Sequence, residues 1–75
     1  MLTKEERDEL LALWRLGKVG YPYYMQQHEA GEVVTEESYA VFLVKATGCK
    51  WDMAIKSYDW TCKAFVLDQF ERGEF

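Results

Sequence analysis

The sequence predicts a small all-α domain in which three shorter helices pack on a long C-terminal helix. Three observations carry that expectation. Thr3 and Glu6 have the spacing of a capping box ahead of Leu10, Leu13 and Trp14, which share one helical face. Tyr39 to Ala46 is apolar at nearly every position, behind a polar start at Thr35. From Cys49 to Arg72 there is neither glycine nor proline, and the apolar residues recur at helical spacing.

The first helix is expected over residues 4–16. A threonine oxygen at its N-cap can accept from the N3 amide while the glutamate reaches back, and Glu5, Glu6, Asp8 and Glu9 sit where the helix dipole favours negative charge. Gly17 suits the position just past its end, and Gly17-Lys18-Val19-Gly20 reads as a turn. Pro22 then fits the first position of a short second helix, where its missing N–H would be unpaired anyway, with Gly31 as the stop. Glu32-Val33-Val34 is an extended link. Thr35 caps a third helix over 36–47 that is hydrophobic almost all round and therefore central, and Gly48 ends it.

The last segment carries three stripes. Trp51, Ile55, Tyr58, Cys62, Phe65 and Gln69, widened by Ala54 and Val66, form one face directed at the core. Asp52, Lys56, Asp59 and Lys63 alternate in charge at i,i+4 spacing beside it. Met53, Trp60, Ala64 and Leu67 form an apolar face on the opposite side. Ser57, Asp59 and Thr61 are weak helix formers, so a break would fall near 57–60, with Asp59 as a second cap; a single long helix is the expectation.

Composition bounds the function. Seventy-five residues, 49% hydrophobic and 16% aromatic, make one domain spanning 1–75 with too much apolar surface for disorder. No apolar run is long enough to span a membrane and residues 1–16 hold no signal-peptide core, so a cytoplasmic location is expected. The formal net charge of -4 disfavours nucleic-acid binding, which draws its affinity from neutralising phosphates. On one helix, Cys49 and Cys62 would stand roughly 20 Å apart, too far for a disulfide, and read as small buried hydrophobes. His28 is the lone histidine, without CxxC or HExxH company, so neither metal nor cofactor is expected. Ser38, Ser57 and the cysteines lack an activating pattern, which argues against an enzyme.

What the sequence does offer is contact surface. The face of Met53, Trp60 and Leu67 is one more than so small a domain can shelter, and tryptophan is enriched at interface hot spots. Successive aromatics at Tyr21, Tyr23 and Tyr24 cannot all point inward, so they form a second candidate contact region. The leading expectation is a non-enzymatic protein–protein interaction module that self-associates as a homodimer through the first of these. A compact, acidic, aromatic-rich chain also has the style of small phage and mobile-element inhibitors that cap a host protein surface. The alternative is an acidic mimic of nucleic acid, with Glu29, Glu32, Glu36 and Glu37 as its charged surface beside the Glu5–Glu9 group. A helix-turn-helix ranks third: Val44, Gly48 and Ala54 loosely fit the turn, but Asp52 and Asp59 would face phosphate.

Overall fold

The computed structural model describes residues 1–73. They form three α-helices, α1 over Lys4–Glu29, α2 over Glu36–Thr47 and α3 over Trp51–Glu71, with no strand among the described residues. Two of the expected shorter helices are one. At 26 residues α1 is the longest element, ahead of the 21 residues of α3, so the arrangement of three short helices on a long C-terminal one is not the one observed.

The start of α1 forms as its sequence dictates. Thr3 Oγ1 accepts from the Glu6 amide at 3.1 Å, and Glu6 Oε1 accepts from the Thr3 amide at 3.2 Å. The end does not. The helix runs straight through the segment expected to turn, and Gly17 and Gly20 keep helical backbone there. Gly20 has a packing reason to be glycine. It is buried, and a Cβ built on it would overlap the ring and hydroxyl of Tyr39. Pro22 lies inside the helix, so the Lys18 carbonyl has no amide to accept from four residues on. Packing beyond the proline offsets that loss. Tyr23 stacks on Phe42 with ring centroids 4.0 Å apart, and Tyr24 meets Phe65 at 5.3 Å and Tyr58 at 6.5 Å. The helix stops at Ala30, and Gly31 follows at φ 80°.

The central helix matches its expected bounds. Thr35 Oγ1 accepts from the Ser38 amide and Ser38 Oγ from the Thr35 amide, a capping box in which serine holds the place of the usual glutamate. Gly48 ends α2 in the left-handed region at φ 71°, its amide donating to the Val44 carbonyl. Tyr39, Ala40 and Leu43 are wholly buried and form the core with Leu16 and Ala54.

The C-terminal helix is continuous across residues 57–60, and Asp59 pairs with Lys63 at 3.0 Å instead of capping a second helix. Its innermost face is not the expected aromatic stripe. Ala54 is buried as expected, but its buried companions are Ser57 and Thr61, whereas Trp51 is 46% exposed, Val66 is exposed and Ile55, Tyr58, Cys62, Phe65 and Gln69 are half-buried. The cause is Tyr39. Its ring needs room, and its hydroxyl needs partners once desolvated. Small polar residues on α3 supply both, with Ser57 Oγ at 2.8 Å and Thr61 Oγ1 at 2.7 Å from the phenol oxygen. The phenol carries one proton, so it donates to one of these hydroxyls and accepts from the other. Cys49 and Cys62 are free and half-buried.

Candidate interaction surface

Two pairings fix how α1 lies against α3. Near their N-terminal ends Lys56 Nζ sits 2.6 Å from Glu9 Oε1, and farther along Tyr21 lies beside the Asp68 carboxylate. The two helices therefore run side by side in the same direction. Glu9 both hydrogen-bonds and attracts the Lys56 ammonium, which raises the lysine's pKa. Tyr21 is also raised, first by burial and then by the Asp68 charge.

Between them opens a groove of about 500 Å³ to which α2 contributes no residue. Its floor is made of small side chains, Gly17 from α1 and Thr61 and Ala64 from α3. A Cβ added at Gly17 would meet nothing within 4 Å, so this stretch of floor is open space. The walls are large and apolar. Leu10, Leu13 and Trp14 stand on one side and Trp60 on the other, with Tyr21 and Pro22 at the far end. Trp14 is 60% exposed and Trp60 54%. Lys18 Nζ rests 3.7 Å from the centroid of the Trp14 ring, a cation–π contact. From beneath, Tyr39 holds the Thr61 hydroxyl, so the floor is tied to the buried network.

Leu10, Leu13 and Trp60 also border a second cleft of about 600 Å³, in which Leu2 and Ile55 stand beside charged side chains. Glu6 and Glu9 of α1, Glu36 of α2 and Asp59 of α3 line it, with Lys56 among them. The apolar groove thus passes at one end into an acidic mouth.

The structure separates the residues expected to form contacts. Trp60 and Tyr21 line the groove, and Leu67, 63% exposed, lies on α3 one turn beyond Ala64. Met53, Tyr23 and Tyr24 do not reach it. All three are half-buried against the core cluster, and the tyrosines pack there on Phe42 and Phe65. The apolar face expected of Met53, Trp60 and Leu67 is thus covered at Met53 and open at Trp60 and Leu67. Of the acids, Glu29, Glu32, Glu36 and Glu37 are all exposed, but only Glu36 joins Glu6 and Glu9 at the cleft.

Trp14, Leu10 and Lys18 are the surface residues the sequence reading missed. In the sequence Leu10 and Trp14 share a helical face with Leu13, and Lys18 falls in a turn, because the first helix is expected to end at residue 16. The signal was the i,i+4 series Glu6, Leu10, Trp14, Lys18, visible only once the helix is carried through Gly17. His28 is exposed and meets the edge of Phe65 at 4.7 Å. Among the described residues no group of three His, Cys, Asp or Glu is placed to hold a metal, and no helix is long and apolar enough to cross a membrane. Comparison with protein-family models, curated proteins and solved structures finds no match to this chain.

Proposed function

We propose that the protein is a non-enzymatic interaction module that self-associates through the groove between α1 and α3. The observation that carries this reading is the pair Trp14 and Trp60, each more than half exposed on the walls of one groove. Solitary exposed apolar residues are ordinary, but a contiguous patch with two tryptophans is what monomers avoid and interfaces collect. Counting the open parts of Trp14, Trp60, Leu10 and Leu67, two copies would cover on the order of 900 Å² of apolar side chain. Polar rim residues would bring the total into the range of a small specific interface.

The test is mass by light scattering across a dilution series, for the wild type and for Trp60→Ala. The expected result is a wild-type dimer at about 50 μM and a variant whose dissociation constant is raised about thirtyfold or more. The buried hydroxyl bonds of Tyr39 go to Ser57 and Thr61, and Trp60 is more than half exposed, so the variant should keep its helical circular dichroism. A wild type that stays monomeric at about 100 μM overturns the proposal.

The acidic cleft favours a second reading, mimicry of nucleic acid, because it gathers Glu6, Glu9, Glu36 and Asp59 from all three helices. It is the weaker one, since Lys56 stands among those carboxylates and already engages Glu9. Salt discriminates. Capture of a nucleic-acid-binding protein by carboxylates would weaken steeply as ionic strength rises, whereas a tryptophan-lined contact would hold.

A further inference from the structure

Resting on that self-association, we propose that two copies pair antiparallel about a twofold axis, with α1 of each lying along α1 of the other. Lys18 of one copy then reaches Glu6 of the second, Trp14 covers Leu10, and the same contacts repeat in reverse.

The argument lies in the order of residues along one edge of the groove. Glu6, Leu10, Trp14 and Lys18 are spaced four apart, so they form one inclined ridge that climbs roughly 18 Å along α1 while winding about 120° around it. All four are exposed. Leu10, Trp14 and Lys18 line the apolar groove, and Glu6 lines the acidic mouth that continues it past Leu10. The series therefore reads acid, aliphatic, aromatic, base. Reversed about its midpoint near Ala12, it becomes its own complement, with Glu6 mapping onto Lys18 and Leu10 onto Trp14. A twofold interface requires this, because each residue's partner must in turn find that residue on the other copy. Parallel stacking would instead set Glu6 on Glu6 and Lys18 on Lys18, which like-charge repulsion disfavours.

The side chains are free to make these contacts. In the single subunit Lys18 is folded over the Trp14 ring, so pairing moves its ammonium from a π-face to a carboxylate and uncovers the indole for Leu10. Glu6 uses Oε1 for the Thr3 amide, which leaves its other oxygen for an ammonium. Trp60 borders both the groove and the mouth beside Leu10 and Leu13, which places it close to the axis. A single tryptophan near the axis contributes twice.

Charge exchange tests the arrangement. Glu6→Lys and Lys18→Glu each place like charges at both ends of their own homodimer and are expected to weaken it about tenfold. In a mixture of the two, both ends become attractive again. With one variant labelled with ¹⁵N, native mass spectrometry should find the heterodimer at well above the half expected of random pairing. Glu6→Lys also removes a capping bond, so Glu6→Gln, which keeps an acceptor for Thr3 and loses only the charge, is expected to weaken the wild-type homodimer about threefold. A statistical mixture together with an unaltered Glu6→Gln dimer overturns the antiparallel register while leaving self-association standing. A monomeric wild type overturns both.

Discussion

At the scale of single residues, Gly17 and Gly20 show that two glycines on one helix face can do opposite jobs. Both sit inside α1, where glycine costs about 1 kcal/mol relative to alanine. At Gly17 nothing occupies the space of a Cβ, so that cost is uncompensated by packing. At Gly20 the space is filled by the Tyr39 ring, whose hydroxyl joins Ser57 and Thr61. A methyl there must push the ring away from two buried hydroxyls, and overpacking of this kind costs about 1–3 kcal/mol. Gly17→Ala is therefore expected to stabilise the subunit by about 0.5–1 kcal/mol, and Gly20→Ala to destabilise it by about 2 kcal/mol. Urea unfolding of both variants checks this, and a Gly20→Ala protein as stable as its parent would remove Tyr39 from the centre of the packing.

At the scale of elements, what could be read from the sequence was whatever local chemistry decides. Thr3 with Glu6, Thr35, Gly31 and Gly48 mark helix ends through bonds made within a few residues, and the structure has an end at each. The continuity of α1 goes instead with residues far along the chain, Tyr39 filling the notch at Gly20 and Phe42 and Phe65 packing on Tyr23 and Tyr24 beyond the proline. Local propensity saw only two glycines and a proline. The same blindness hid Ser57 and Thr61 as core residues, since their burial answers a phenol on another helix. Contacts of this long-range kind also govern how the elements respond to alkali. The hydroxyl of Tyr58 on α3 donates to the Val34 carbonyl in the link before α2, at 3.1 Å. Burial, then the neighbouring Cys62, pushes its pKa from the ordinary 10.0 up to about 12. Folding thus favours the protonated phenol, and its contribution is complete below pH 10 and lost as pH rises towards 12. Tyr21 and Tyr24 shift in the same direction, both first through burial. The melting temperature is expected to fall between pH 10 and 12, and to fall less steeply in Tyr58→Phe, which has no proton to lose. Parallel curves for the two proteins would show that Tyr58 is not responsible.

At the scale of the whole molecule, the subunit is thin. Its Cα extents are 37 × 30 × 15 Å, and Leu13, Leu16, Tyr39, Ala40, Leu43 and Ala54 are its buried apolar residues among those described. A chain of this length buries only about 60% of its unfolded surface, so one subunit has little stability in reserve. Covering the groove would add burial that the subunit cannot supply itself, and folding and pairing would then be linked by mass action. For a dimer that unfolds to two free chains, a twentyfold rise in concentration adds RT ln 20, about 1.8 kcal/mol per dimer or 0.9 per subunit. In a domain of this size that corresponds to an increase of roughly 5 °C in melting temperature. The wild type is expected to show this between about 10 and 200 μM, while Trp60→Ala melts lower and with a shallower dependence on concentration. The comparison separates two roles for the tryptophan, because loss of a residue that only supports the fold would lower the variant's curve and leave the two slopes alike. A flat wild-type curve over that range would mean that the groove is not covered by a second copy.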